Sequence, residues 1–455
     1  MLQSFFEPKS IAIIGASKKP GKIGYEILKN IIEGGYVGKI FPVNPKENEI
    51  LSLRCYHNIK EIKDHVDLAI IAIPATAIPS VLEDCGVKGI KNVIIISAGF
   101  SEVGNIELEN RVKKIAQRHG IRIVGPNCAG IINTWYNLFA SFEVRCKRGG
   151  ISLISQSGAF GGAFITRANY ENVGISKFVS YGNAIDINES HLIRYMADDK
   201  TTKVIGIYLE STKDGREFIS AAKLASKKKP VVVLKAGRTM SGKRATVSHT
   251  GSLAGDDKIY DAAFRQAGVI RVFDFDDFID TLYILETGML PSNDNIFIVT
   301  NSGGPGVLAV DECEYIGLKV PESSYELKEK LSFLPPICSI KNPIDLVADA
   351  NYSRYYDTLK VLAESNEVGG VIVICVPPIF IDPMDIAKAI VDVKAIFDEK
   401  KKPMIACFMS GDVVAESIKF LKENKIPVFQ TPERAARAMQ KLVLRKKIIE
   451  RLQSS

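Results

Sequence analysis

The chain has 455 residues, 46% hydrophobic and 24% charged, which is enough apolar material for several buried cores and excludes a disordered protein. Its formal net charge of +7 is small for this length, and the scattered lysines and arginines argue against a nucleic-acid partner. No run approaches the about 20 apolar residues of a membrane-spanning helix. The length predicts about three domains.

Cysteine usage predicts a reducing environment. The eight cysteines are widely spaced and form no C-x-x-C pair, which argues against a disulfide framework and against a structural zinc site. No metal ligand set is therefore predicted. The first residues lack the charged and apolar regions of a secretory signal, so we expect a cytoplasmic protein.

Short runs rich in Val and Ile alternate with longer segments of helical periodicity, a pattern typical of parallel α/β sheets. The predicted strands of the first set begin at Ile11, Lys39, Leu68, Asn92 and Ile121. Those of the second set begin at Ile151, Lys203 and Pro230. Those of the third set begin at Asn295, Gly369 and Lys402. Each set predicts its own doubly wound sheet.

Turn-rich segments separate the three sets. The runs at 145–150 and 291–294 place domains at residues 1–148, 149–290 and 291–455. After Thr431 the pattern predicts a basic amphipathic helix exposed to solvent.

The first predicted strand ends in a glycine turn followed by a helix start, which is a common phosphate-binding arrangement. Gly15 permits the turn, Gly21 and Gly24 permit close approach of a phosphate, and Lys22 adds charge. Such turns also occur in α/β proteins that bind nothing there. The motif predicts a nucleotide-type ligand.

Two features disfavour NAD. Ser17 replaces the second glycine of the usual G-x-G-x-x-G fingerprint, and the second strand ends in Val43, Asn44 and Pro45 rather than in an acidic residue. Coenzyme A remains, with its pantetheine arm expected to pass Ile73 and Pro74, where a strand ends. These positions could equally be ordinary strand ends.

Two further helix starts predict anion sites. One follows the strand at Ile151 and consists of Ser155, Gln156, Ser157 and Gly158; its serines could instead be plain helix caps. The other contains Gly303 and Gly304, whose lack of side chains leaves the main chain open to close approach by an anion. Asn127, after the strand at Ile121, is a further polar candidate, whereas its neighbour Cys128 is expected to be buried or to line the site.

His249 lies in the Gly-rich run 248–255, preceded by Lys243 and Arg244. A histidine on a mobile glycine loop suits a phosphate carrier, although an inert loop histidine is the alternative. A carrier histidine needs a carboxylate to orient its ring, and Glu210, at the end of the strand at Lys203, is the best candidate. A solvated glutamate at the sheet rim is the alternative.

Taken together, the motifs GASKKPGKIG, PVNP, GPNCAG, SQSGAFGGA, YLES and SHTGSLAG resemble the α subunit of ADP-forming acyl-CoA synthetases, in the succinyl-CoA synthetase superfamily. The resemblance implies an α/β chain with a Rossmann-like CoA-binding domain followed by two flavodoxin-like domains. It implies His249 as a transient phosphohistidine assisted by Glu210, and residues 155–158 as the phosphate site. The CoA contacts implied are Gly15, Ala16, Ser17, Lys22, Val43, Asn44, Pro45, Ile73 and Pro74.

The resemblance also implies the reaction and the partners. Acyl-CoA, phosphate and ADP would be converted reversibly to the acid, CoA and ATP through an acyl phosphate. The three predicted domains leave no room for an ATP-grasp domain, so a separate β subunit is expected to bind ADP or ATP with Mg²⁺, in an α2β2 assembly. A CoA-binding regulatory or scaffold protein is the alternative. The acyl specificity is left open.

Overall fold

The structure is a computed structural model that describes residues 2–250 and 256–454, with the main chain alone for residues 246–250. The chain forms two compact units, Met1–Phe278 and Ile279–Ser455. Among the described residues, no helix combines the length and the apolar character needed to cross a membrane. The cytoplasmic location stays a prediction.

The first part of unit 1 contains a parallel sheet in the order β2-β1-β5-β6-β7. Its strands and a small hairpin are β1 (Ser10–Ile14), β2 (Lys39–Val43), β3 (Glu49–Ile50), β4 (Leu53–Arg54), β5 (Leu68–Ile71), β6 (Asn92–Ile95) and β7 (Arg122–Val124). The helices are α1 (Gln3–Phe6), α2 (Ile23–Glu33), α3 (Ile78–Val87) and α4 (Ile106–His119), with 3-10 helices at Ile59–Glu61, Ala75–Ala77 and Ser101–Val103.

The second sheet of unit 1 has the order β14-β13-β12-β10-β11-β8-β9. Its strands are β8 (Gly130–Asn133), β9 (Leu138–Ser141), β10 (Arg148–Ser155), β11 (Ile175–Ser180), β12 (Val204–Leu209), β13 (Val231–Lys235) and β14 (Ile270–Val272). Its helices are α5 (Gly158–Tyr170), α6 (Glu189–Asp198), α7 (Gly215–Lys228), α8 (Met240–Thr250) and α9 (Asp257–Ala267), with a 3-10 helix at Thr134–Tyr136. Helix α10 (Phe275–Glu286) begins in unit 1 and ends in unit 2.

Unit 2 contains a parallel sheet in the order β16-β15-β17-β18-β19. The strands are β15 (Ile296–Thr300), β16 (Ile344–Asp345), β17 (Gly370–Cys375), β18 (Met404–Phe408) and β19 (Val428–Phe429). The helices are α11 (Gly303–Tyr315), α12 (Tyr325–Lys330), α13 (Tyr352–Glu364), α14 (Pro383–Glu399), α15 (Ala415–Glu423) and α16 (Pro432–Gln453), with a 3-10 helix at Gly411–Val414.

The predicted α/β fold class is confirmed, and each strand predicted from an apolar run is present. Buried runs such as β5, β12 and β17 have little exposed surface on either face, as expected for parallel strands covered by helices. The sequence did not predict β8 and β9, which extend the second sheet through an antiparallel pairing of β8 with β11. The domain boundaries at 148 and 290 stay a prediction.

Helix α16 begins where it was predicted, because the Thr431 hydroxyl caps it by accepting the backbone N–H of Arg434 at 3.3 Å. The expectation of a helix exposed to solvent is wrong. Ala435, Met439 and Leu442 are buried, and α16 packs against α11 and against strands β17, β18 and β19. The sequence interpretation gave weight to the basic residues and overlooked the apolar residues that recur at helical spacing.

Candidate active site

The turn after β1 brings the main chain of two segments into direct contact. Gly15 has φ +94°, and a Cβ at this position would lie 2.3 Å from the carbonyl oxygen of Ala72. A Cβ on Gly24, in α2, would lie 2.0 Å from the carbonyl oxygen of Gly15. Only glycine fits either position, because a side chain would overlap with backbone. Gly24 therefore lets α2 start directly against the turn.

Asn44 connects this turn to the end of β2. Its Nδ2 donates to the carbonyl of Ala16 at 2.7 Å, and its Oδ1 accepts the N–H of Lys46 at 2.9 Å. Ala16 and Val43 are buried, whereas Pro45 is exposed. Any contribution of Ala16 and Val43 to a ligand would therefore come from their backbone atoms.

Exposed positive charge lies at the start of α2. Lys22 is exposed at the N-cap position, and Lys18 forms an ion pair with Glu47 at 2.6 Å. The Glu26 carboxylate accepts the N–H of Gly21 at 2.8 Å, and the Ser17 hydroxyl accepts that of Lys19 at 3.0 Å. Sequence reasoning missed Glu26, although an acidic residue in the first turn of a helix is a known capping signal. An open glycine turn with nearby lysines fits the diphosphate of coenzyme A.

The ends of β5, β6 and β7 are linked by hydrogen bonds. The Ser97 hydroxyl donates to the carbonyl of Ile73 at 2.5 Å, and the N–H of Asn127 donates to the carbonyl of Ser97 at 2.9 Å. Pro74 is exposed next to them. The structure thus brings Ile73, Pro74 and Asn127 to one edge of the first sheet.

Cys128 lies below this edge rather than on it. The residue is 5% exposed, and its Sγ donates to the carbonyl of Ile95 at 3.2 Å. Burial raises the pKa of the Cys128 thiol to about 12. The thiol therefore stays protonated at neutral pH and is a poor nucleophile.

Asn183 joins the first sheet to the second within unit 1. Its Nδ2 donates to Glu102 at 2.6 Å and to Glu109 at 3.0 Å, and its Oδ1 lies 3.3 Å from Nδ2 of Asn127. The carbonyls of Asn183 and Ala184 accept the ammonium of Lys213, each at 2.9 Å. These contacts place the carboxyl ends of the two sheets side by side.

The helix start at residues 155–158 uses its side chains for local structure. Ser157 caps α5 by accepting the N–H of Phe160 at 3.2 Å, and the Ser155 hydroxyl donates to the carbonyl of Ser157 at 2.5 Å. The buried hydroxyl of Ser180 has no hydrogen-bond partner within the part of the chain that the structure describes, and it lies 3.7 Å from the position of a Cβ on Gly158. An anion at this helix start would meet main-chain N–H groups and this hydroxyl.

Glu210 follows β12 and is 5% exposed, so it is not a solvated residue at the sheet rim. Its backbone N–H donates to Gln156 Oε1 at 2.8 Å, and its carbonyl accepts the ammonium of Lys235 at 2.7 Å. Burial and then the Glu210 carboxylate raise the pKa of Tyr208, which shows that this carboxylate faces the phenol two residues before it. Sequence reasoning missed Lys235, since only the sheet brings it beside Glu210.

The predicted glycine loop around His249 is a helix up to residue 250. Helix α8 covers Met240–Thr250, so the expectation of a loop at position 249 is wrong for its main chain. Met240, Lys243, Arg244 and Ala245 favour helix and outweigh the single Gly242. The side chain of His249, and Gly251 and Gly255, lie outside the described residues. Cα atoms of α8 come within 8 Å of the 3-10 helix Ser101–Val103, near Asn183 and its partners.

Unit 2 carries the other predicted anion site, at the start of α11. Gly303 and Gly304 are both exposed, and a Cβ on Gly304 would meet open space. A Cβ on Gly303 would lie 3.4 Å from the Asp345 carboxylate, a negative charge that the sequence did not place here. The Asp345 carboxylate therefore already interacts with part of the positive end of the α11 helix dipole. The role of Gly303 and Gly304 in an anion site stays a prediction.

Family models match three successive parts of the chain: a CoA binding domain at residues 9–134, a succinyl-CoA ligase like flavodoxin domain at 148–285, and a Ligase-CoA domain at 296–442. A Pyrococcus furiosus protein named acetate–CoA ligase (ADP-forming) II subunit alpha is 44% identical over 449 residues, which cover 97% of each chain. The chain belongs to the family of ADP-forming acetate–CoA ligases.

Other members of the ADP-forming acetate–CoA ligase family differ in length. The Methanocaldococcus jannaschii acetate–CoA ligase (ADP-forming) is 48% identical over 96% of this chain, but this chain spans only 62% of that relative. A solved structure of the dinucleotide forming acetyl-coenzyme A synthetase 1 of Ca. Korarchaeum cryptofilum, in complex with phosphate and ADP, matches this chain with a TM-score of 0.95 and 36% identity. The match covers 100% of this chain and 98% of the chain in that structure. The predicted order of one CoA-binding and two ligase domains is confirmed.

Proposed function

We propose that this chain is the α subunit of an ADP-forming acyl-CoA synthetase. Phosphate attacks the thioester carbonyl of acyl-CoA, the C–S bond breaks, and acyl phosphate and CoA form. A ring nitrogen of His249 then attacks phosphorus and displaces the carboxylic acid as its anion. ADP finally accepts the phosphoryl group to give ATP, and each step is reversible.

The observation that carries this proposal is the placement of Glu210. A buried carboxylate whose backbone is held from both sides, at the same sheet edge as the start of α5, suits the role of orienting an imidazole. The main-chain N–H groups at that helix start and the Ser180 hydroxyl suit a phosphate whose charge would otherwise be desolvated. The exposed lysines around Gly15 and Gly21 suit CoA at the first sheet.

Partners follow from the relatives. The Pyrococcus furiosus relatives matched over 97% of their length are named subunit alpha, which supports a separate second subunit. We propose that this subunit has an ATP-grasp fold, binds ADP or ATP with Mg²⁺, and assembles with this chain as α2β2. The acidic and polar residues of this chain's own site orient the imidazole and hold phosphate.

Transfer of labelled phosphate from ATP to this chain, with the candidate β subunit present, tests the proposal. Acid-labile, base-stable label that is lost in His249→Ala is the expected result. His65→Ala is the matched control, because His65 is an exposed histidine paired with Asp67 at 3.1 Å and should keep full labelling. Equal labelling of both variants, or no label with an active β subunit, would favour a CoA-binding scaffold without turnover.

A further inference from the structure

Lys235 is a buried lysine at the last position of β13, and it is 2% exposed. Its ammonium donates to the carbonyl of Glu210 at 2.7 Å and to that of Ala236 at 2.5 Å. The same ammonium lies 4.5 Å from the centroid of the Tyr260 ring, within the range of a cation–π contact. Lys235 therefore connects the ends of two neighbouring strands through a charge held away from water.

Burying an ammonium costs free energy, so a buried lysine must make compensating contacts or serve a function. Lys402 in unit 2 is 4% exposed and donates to the carbonyls of Ala363 and Ser365, at 2.7 and 2.5 Å, where α13 ends. The burial of Lys402 is therefore explained by its role in capping the C-terminal end of α13. Lys235 makes the same kind of contact, but the carbonyl it holds belongs to Glu210.

The backbone of Glu210 is held on both sides by side chains from the two strands that flank β12. Gln156, after β10, accepts its N–H, and Lys235, at the end of β13, donates to its carbonyl. With both peptide groups fixed, the carboxylate can move only by rotation about its own side-chain bonds. Its position relative to an incoming imidazole is set before the histidine arrives.

We propose that Lys235 is a positioning residue for Glu210, and that it acts on the phosphohistidine step by fixing the backbone that carries this carboxylate. The inference rests on the proposed function. It adds a residue that none of the sequence motifs identified, and it does not require Lys235 to touch the substrate.

The charges around Lys235 give the proposal a pH signature. Burial, opposed by the charges of Asp257 and Glu210 and reinforced by those of Arg271 and Lys243, lowers the pKa of Lys235 to about 8. Among the described residues, the Tyr260 ring also lies against this ammonium, and burial raises the pKa of its phenol, so the phenol stays neutral in this range. As pH rises through about 8, the ammonium loses its proton and its charge-assisted hold on the carbonyl weakens.

The test compares Lys235→Met with Lys402→Met in the labelling reaction with the β subunit. Both variants remove a buried ammonium that holds main-chain carbonyls, so general effects on folding are matched, and thermal melting monitors them. We expect Lys235→Met to slow His249 phosphorylation about 100-fold and Lys402→Met to leave the rate within about threefold. Adding Lys235→Met to Glu210→Gln should cause no further loss, because both act through one group.

Three results would overturn the proposal: equal rates for the two lysine variants, multiplicative effects of Lys235→Met and Glu210→Gln, or a decline of the Lys235→Met rate near pH 8 that matches that of the wild type. If Lys235→Met does not fold, Lys235→Arg keeps the charge, and its rate should not decline near pH 8, because a guanidinium stays protonated. Failure of the proposed function is distinguishable, since it would leave label on His249→Ala or give no label on the wild-type chain.

Discussion

The side-chain oxygen of Gln156 accepts the backbone N–H of Glu210 at 2.8 Å and that of Ser211 at 3.0 Å. Its Nε2 lies 3.3 Å from the Ser211 hydroxyl. The sequence suggested Gln156 as a phosphate ligand because it precedes a helix start. Its side chain holds the turn that carries the candidate partner of His249, so it connects the predicted phosphate site to Glu210, and its role as a phosphate ligand stays a prediction.

Gln156→Leu should impair both folding and phosphorylation of His249. Two buried N–H groups lose their acceptor, which is expected to cost about 1–3 kcal/mol of unfolding free energy, and the labelling rate should fall at least tenfold. Urea unfolding and labelling in parallel measure the two effects. Gln117→Leu, on the exposed surface of α4, is the control and should change neither. Full activity in Gln156→Leu would contradict the role assigned here.

Gly24→Ala should disrupt the turn after β1 and weaken CoA binding. The new Cβ would lie 2.0 Å from the carbonyl oxygen of Gly15, so the start of α2 must move away from β1. Calorimetric titration with CoA and a melting curve report the two consequences. Gly215→Ala is the matched control, because a Cβ there meets nothing within 4 Å, and it should leave stability equal or slightly higher. Unchanged CoA affinity in Gly24→Ala would argue against this turn as the CoA site.

Asp199→Asn should destabilise unit 1 in a pH-dependent way. Lys177 is almost fully buried and lies 2.8 Å from the Asp199 carboxylate. Burial acts to raise the pKa of Asp199, but hydrogen bonds from Lys177 and Thr202 outweigh it and hold the pKa below its usual range. Removing the charge should cost about 3–5 kcal/mol at neutral pH, since it leaves a buried ammonium without its partner.

The sign of the pH effect follows from the lowered pKa. The contribution of the ionised Asp199 to the free energy of unfolding is complete above the ordinary aspartate pKa of about 4 and is lost as the pH falls further. The stabilities of the wild type and Asp199→Asn should therefore converge in acid. Urea unfolding between pH 3 and about 7 measures this convergence. The neighbouring Asp198→Asn removes an exposed ion pair with Lys228 and should barely change the unfolding midpoint. A stability difference that stays constant with pH would show that the Asp199 charge is not its source.

Cys128→Ala should retain phosphorylation of His249 within about threefold while costing about 1 kcal/mol of stability. The thiol is buried, and its pKa is raised to about 12, so no thiolate is available to attack a substrate. The labelling assay and a melting curve test both statements. Loss of activity in a variant that melts like the wild type would show that Cys128 takes part in the chemistry.

Local patterns predicted a large part of the fold. The apolar runs at β1, β5 and β12 mark buried parallel strands, because a strand covered on both faces needs apolar side chains at successive positions. The same reasoning failed for β8 and β9. These short strands lie within a segment that carries glycine, asparagine and aromatic residues. Strand β9 pairs with β8, and β8 pairs with β11, which follows about 40 residues later in the chain.

The candidate site likewise has some features that the sequence predicted and others that only the structure shows. The sequence by itself determined the order of motifs and the residue types at each strand end, because tight turns and helix starts depend on neighbouring residues. The tertiary structure decided that Glu210 is buried and that Gln156 and Lys235 hold its backbone. It also decided that Asn183 joins the two sheets of unit 1. Such contacts join residues on separate strands, and only the packing of the sheets and helices brings those residues within hydrogen-bonding distance.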